Sequence, residues 1–176
     1  MKTSVRTRIF LKTYREEIRF VLYFILVFLV LQIANYSIRS YTSPLLVHTL
    51  TAGVSSRIIN FITPGEKSFA RGAIIGSGTF TIAIAQGCEG TEGILLVTAA
   101  LCAFNMWIRW KIVGILVGSL VMYMANLART IGLYYTLKYR PDMFDLAHMY
   151  IGQTVIIFVG ILFFMTWITK FARSDE

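Results

Sequence analysis

The sequence predicts an all-α integral membrane bundle of about four transmembrane helices, carrying a small extracytoplasmic hairpin and an interfacial helix. Three observations predict it. Of the 176 residues, 56% are hydrophobic, above the roughly half that soluble domains use. The apolar residues gather in long runs whose ends carry Lys and Arg, the pattern that anchors and orients a membrane protein. Between the first and second runs lies a stretch broken by Pro, Gly, Ser and Thr, which reads as a small folded module and not as a span.

The chain opens with Lys2, Arg6, Arg8, Lys12, Arg15 and Arg19, a basic cytoplasmic segment over 1–19. The run 20–38 then follows with the length needed to cross a hydrocarbon core. It is too long for the apolar part of a cleaved leader, and no small-residue cleavage site follows it. Residues 39–87 are assigned to the extracytoplasmic module. Within it, Leu46, Leu50, Val54, Ile58 and Phe61 give 45–61 the spacing of an amphipathic helix lying in the interface. Two short strands, 70–75 and 79–85, flank Gly76-Ser77-Gly78 as a hairpin turn.

Residues 88–176 form a three-helix module. Its spans are 91–108, closed by Arg109 and Lys111; 112–127, extending toward Lys138; and 147–168, closed by Lys170 and Arg173. Arg140-Pro141-Asp142 marks the loop between the last two. With both termini cytoplasmic, ten basic residues fall inside and seven outside, as the positive-inside rule asks. Gly114 and Gly118 form a GxxxG pair, which serves either a dimer face or close packing within the chain.

The formal charge of +8 raises a nucleic-acid partner. The basic residues sit at the ends of apolar runs and not along one polar face, so membrane lipid is the partner expected and nucleic acid is not. Two cysteines and two histidines are too few and too scattered for a metal site, and no cofactor is expected. On one helix Cys88 and Cys102 would stand about 21 Å apart, far beyond disulfide reach. Cys102 reads as packing and His48 as structural.

The chain direction carries the chemistry. The second span begins at Cys88, the third ends around Asn126 and Arg129, and the fourth begins near His148. All three ends arrive at one membrane face, however the section before Cys88 is threaded. Thiol, imidazole and guanidinium suit acyl transfer: a nucleophile, a proton carrier and an oxyanion donor. Asn126 and Arg129, three apart, share a helical face. Cys88 precedes a helix start, whose dipole favours a thiolate; Glu89 and Glu92 push the other way while stabilising that start.

These residues resemble a known signature. Gln86-Gly87-Cys88-Glu89-Gly90, then Asn126-Leu127-Ala128-Arg129, then His148-Met149-Tyr150-Ile151-Gly152, is similar to the ordered three-part motif of the exosortase/archaeosortase family. The chain resembles its short single-module members, such as the exosortase H subgroup. The resemblance implies a membrane cysteine protease/transpeptidase that cleaves C-terminal sorting signals of exported proteins through a thioester. It implies Cys88, Arg129 and His148 as catalytic residues, with Asn126, Glu89, Glu92 and Gly152 binding substrate or supporting the site. Implied partners are the C-terminal transmembrane tails of those proteins and an envelope acceptor nucleophile, in the cell inner membrane with the active site outside. Two departures stand out. Glu89 follows the cysteine where many members have a small residue, and four spans replace the eight or so of many exosortases. Rival readings are a non-enzymatic membrane scaffold or assembly partner, an intramembrane hydrolase using Ser77, and a thiol–disulfide carrier, which lacks its cysteine pair.

Overall fold

The computed structural model describes residues 2–171 apart from Thr79 and Gln86, with side chains from Tyr14 onward. Arg173, predicted to close the last span, lies outside the described residues, as do both chain ends.

The first helix, α1 (Lys2–Ser43), takes up both the basic segment and the first apolar run. At Pro44 it passes without a break into a π-helical stretch, Pro44–Gly53, and then into α2 (Val54–Ile62). Proline has no N–H to continue the ladder, and Thr51 donates its hydroxyl to the Leu46 carbonyl five residues back (2.8 Å). The helix predicted over 45–61 is therefore the continuation of α1 and not a separate element. It lies along the helix Ile108–Tyr139, tied to it at two points: Tyr123 Oη donates to the Leu50 carbonyl (2.8 Å) and Thr63 Oγ1 pairs with Tyr135 Oη (2.7 Å).

The module next in the chain is a three-stranded antiparallel meander in the order β1-β2-β3, formed by β1 (Phe69–Arg71), β2 (Ile74–Gly76) and β3 (Thr81–Ala83). The single strand predicted over 70–75 is split, because Gly72 takes φ +59°, a conformation glycine enters without cost, and turns the chain there. The turn at Ser77-Gly78 joins β2 to β3. Asn60 fastens α2 to the sheet by pairing with both backbone groups of Ser68 (2.7 and 2.8 Å).

Three helical segments are long and apolar enough to span a membrane: Tyr14–Ile62, Ile108–Tyr139 and Pro141–Phe171. The expected fourth is shorter than predicted. Helix α3 (Thr91–Ala103) has 13 residues, a rise of about 20 Å, and ends where Phe104 turns extended. Its terminal carbonyls need a partner, and Lys111 Nζ donates to the Cys102 carbonyl (2.7 Å). The remaining helices are α4 (Ile108–Tyr139), a short turn α5 (Phe144–Leu146), a π-helical turn Ala147–Ile151, and α6 (Gly152–Phe171).

Helices α3, α4 and α6 pack closely because glycines face bulky partners. A Cβ on Gly114 would stand 2.6 Å from Trp167 Nε1, and one on Gly118 would stand 2.7 Å from the Phe163 ring. The GxxxG pair thus packs within the chain. Val97, Leu101, Met106, Met122 and Ile156 form one apolar core between these helices. Ile59, Ile75, Ile82, Ile84, Leu133 and Tyr134 form a second beneath the sheet. Asn126, Arg129 and Thr130 occupy α4 between the two.

Candidate functional site

Strand β3 leads straight into the cysteine loop. Cys88 donates its N–H to the Ala85 carbonyl (3.0 Å), closing a turn in which Gly87 has φ +90°. Gly90, at φ +84°, ends the loop and starts α3. Glu89 braces it from within: its carboxylate accepts the Gly87 N–H (2.6 Å) and the guanidinium of Arg39 on α1 (2.9 Å). The Glu89 side chain is only 6% exposed, so this pair is a well-shielded link between α1 and the loop.

Helix α4 supplies the opposite wall. Asn126 Nδ2 donates to the Cys88 carbonyl (3.2 Å). One turn on, Arg129 Nη2 points at Cys88 Sγ from 3.8 Å. Helix α4 rises about 30 Å from Ile108 to Arg129, the thickness of a hydrocarbon core. Arg129 therefore stands one membrane thickness from Arg109 and Lys111. Helix α4 continues about 15 Å beyond it, up beside the sheet, so the site is roofed by the module.

His148 comes from the π-helical turn before α6. Its Nε2 is 3.9 Å from Cys88 Sγ, and its ring stacks on Phe144 at 5.7 Å with planes 3° apart. Gly152, one turn later, makes room for Arg129: a Cβ there would stand 2.8 Å from Arg129 Nε. The thiol of Cys88, the guanidinium of Arg129 and the imidazole of His148 thus meet at one sulfur.

Around that sulfur lies a cleft of about 30 Å³ lined by Ile82, Ala83, Cys88, Arg129, Phe144 and His148 among others. Three buried polar atoms beside it have no hydrogen-bond partner among the described residues: Asn126 Oδ1, Arg129 Nε and His148 Nδ1. Buried polar groups are almost always paired, and these three stand out as exceptions close to Cys88. On the other side of the cysteine loop a wider cleft of about 360 Å³ is lined by Gln32, Asn35, Arg39, Glu89 and Glu92. Glu92 is exposed there.

Sequence reasoning missed Arg39, whose only signal is being the basic residue at the end of the first apolar run. It also missed Glu66, which accepts from Tyr134 Oη (2.7 Å) and pairs with Lys138, locking the turn before the sheet to the end of α4. Ser77 is buried and bonds toward this same Glu66. His48 lies near the Gly72 turn, its Nε2 4.0 Å from where a Cβ on Gly72 would stand.

Fold and site together define a polytopic helical membrane protein with a small thiol-bearing cleft between its helices and a capping sheet, mainly apolar in lining but holding Arg129 and His148 beside the sulfur. The family described as "Transmembrane exosortase (Exosortase_EpsH)" matches residues 12–167, nearly the whole chain, and the protein belongs to that family. Neither the comparison with curated proteins nor that with solved structures returns a match.

Proposed function

We propose that this exosortase-family protein is a cysteine protease/transpeptidase that cleaves the C-terminal sorting signal of exported proteins and transfers them to an envelope acceptor. The observation that carries the reading is the approach of Arg129 Nη2 and His148 Nε2 to Cys88 Sγ, at 3.8 and 3.9 Å. Catalytic contacts are commonly this long before substrate binds.

In this mechanism Cys88 sulfur attacks the scissile carbonyl carbon while its proton passes to His148 Nε2. Arg129 donates to the oxygen that becomes negative in the tetrahedral intermediate. The intermediate collapses, the C–N bond breaks, and His148 returns the proton to the leaving amine, which departs with the tail. The acyl group remains on Cys88 as a thioester. An acceptor amine then attacks it, giving its proton to His148, which passes it back to the sulfur; water in place of the amine yields the hydrolysed product. Asn126 holds the Cys88 carbonyl, and Glu89 with Arg39 fixes the loop. A membrane-anchored tail reaches this cleft by diffusing in two dimensions, which raises its effective concentration.

The proposed setting is the cell inner membrane, with the site on the extracytoplasmic face and the termini inside. Arg109, Lys111 and Lys170 at the far ends of the helices support that orientation. The test is a trapped thioester. Wild-type protein is incubated with a tagged protein bearing a C-terminal transmembrane tail, quenched and analysed by mass spectrometry for a hydroxylamine-sensitive adduct on Cys88. Normal processing by an inserted Cys88→Ala variant would sink the cysteine mechanism, and a wild type that neither processes the tail nor forms the adduct would leave the alternative, a non-enzymatic scaffold, in its place.

A further inference from the structure

Strand β3 is the outer strand of its sheet, and its free edge opens beside Cys88. The register fixes which backbone groups point outward. Ser77 N–H bonds to the Phe80 carbonyl (3.0 Å) and Ile84 N–H to the Ala73 carbonyl (2.8 Å), and Ile82 lies opposite Ile75. Bonded and non-bonded pairs alternate along an antiparallel ladder, so Phe80, Ile82 and Ile84 bond inward to β2. The N–H and C=O groups of Thr81 and Ala83 therefore point to the open edge, and no backbone bond there involves them among the described residues.

The side chains of β3 alternate between the two faces of the sheet. Thr81 and Ala83 are exposed, while Ile82 and Ile84 are buried in the core beneath the sheet. An unpaired strand edge is a template for another strand, and extended peptides are often recognised by adding to one. Two features say what this edge takes. Ile82, Ala83 and Ile84 line the same cleft as Cys88, Arg129 and His148. The strand also continues into the Cys88 turn within five residues, so a chain laid along the edge about 4.8 Å from β3 runs toward the cysteine loop.

We propose that the substrate binds as a fourth strand: its extended segment around the scissile bond pairs with the outward N–H and C=O of Ala83 and Thr81, which sets the scissile carbonyl over Cys88. This rests on the cysteine transpeptidase reading and names the form of substrate that site accepts, a peptide in β conformation. Backbone pairing holds the chain in place with little demand on its side chains, and outward groups two residues apart on β3 grip substrate amides two apart.

The test uses the full-length protein in membranes and a reporter whose C-terminal transmembrane tail the wild type processes. Ala83→Pro removes the outward N–H without touching the bonds to β2, and proline is tolerated at that kind of edge position. Processing is expected to fall at least about tenfold, as loss of backbone hydrogen bonds predicts. Membrane insertion and alkylation of Cys88 by iodoacetamide serve as controls for folding. Should Ala83→Pro misfold, the wild type decides through synthetic peptides spanning the cleaved junction, each methylated at one backbone nitrogen. Sensitive amides two apart, with a tolerant one between, support strand addition. A flat scan, or full activity in a folded Ala83→Pro variant, overturns it. If the wild type forms no Cys88 adduct with any tail, the enzymatic reading itself falls and strand docking goes with it.

Discussion

Gly90 and Asn126 share one small space: a Cβ on Gly90 would stand 2.6 Å from Asn126 Cγ. Gly90 also sits at φ +84°, where a side chain adds about 1–2 kcal/mol of strain. The space matters because Asn126 holds the Cys88 carbonyl (3.2 Å). Gly90→Ala is expected to push Asn126 aside, shift the sulfur from Arg129 and His148, and lower tail processing by more than about tenfold, since misplacement near 1 Å is costly in catalysis. The check is processing rate against insertion. A Gly90→Ala protein that inserts normally and works at the wild-type rate would remove this loop from the account.

The Arg39–Glu89 pair invites a double-mutant cycle. Glu89 is nearly buried and also accepts the Gly87 N–H, so neutralising it leaves Arg39 without its partner. Glu89→Gln is expected to destabilise the loop by about 2 kcal/mol, within the range for a hydrogen-bonded charge, and to slow processing. The Arg39→Gln, Glu89→Gln double variant is expected to lose less than the sum of the singles. Additive losses would mean that the pair is incidental. Thermal unfolding in detergent and processing rates supply both readouts.

The bundle was legible in the sequence because span-length apolar runs with basic ends admit few other folds, and the chain direction alone brings Cys88, Arg129 and His148 to one end. The sheet was harder to read. Ala70, Ile74 and Ile75 look like one strand, and only the left-handed φ of Gly72 reveals that the chain folds back there. The length of α3 was overestimated because Phe104, Met106 and Trp107 are as apolar as the helix they follow. The π-helical turn at His148 has no period that a residue pattern could betray, and Arg39 meets Glu89 across 50 positions. Such links are set by packing between distant segments, which one-dimensional spacing does not encode.

Glu66 gives a pH dependence. Its carboxyl is held below the ordinary value, chiefly by the Lys138 hydrogen bond and then by that of Tyr134. A carboxyl whose folded pKa is depressed contributes stability that is fully present above its unfolded value, about 4.3, and is lost as pH falls through the folded value. Protection of the sheet amides against hydrogen exchange is expected to drop below about pH 4 in the wild type. Glu66→Gln is expected to be less stable at neutral pH, by about 2 kcal/mol, and to lack this acid-dependent loss. An unchanged acid profile in Glu66→Gln would mean that other carboxylates govern it.

His148 is expected to matter for proton transfer and not for holding the tail. With its ring stacked on Phe144 and Nε2 3.9 Å from the sulfur, His148→Gln keeps a polar side chain but cannot carry a proton. Processing is expected to fall by about 10²–10⁴, the usual worth of a general acid–base. Capture of the tail by a Cys88→Ala, His148→Gln variant is expected to match capture by Cys88→Ala alone. Loss of capture would make the histidine a binding residue.

Arg129 and Gly152 form the last pair to test, because a Cβ on Gly152 would stand 2.8 Å from Arg129 Nε and 3.1 Å from the Ala147 carbonyl. Gly152→Ala therefore moves the guanidinium without altering its charge, while Arg129→Lys keeps the charge and loses the planar fork. If Arg129 stabilises the oxyanion through a directed N–H, both variants should lose about 10²-fold or more in processing, the loss seen when one such donor is removed. If it acts only through its charge, Arg129→Lys should stay near wild type and Gly152→Ala should suffer little. Single-turnover measurement of thioester formation separates the two, because the oxyanion forms in that step, and a wild-type rate in Arg129→Gln, which removes the charge as well, would leave Arg129 with no part in the chemistry.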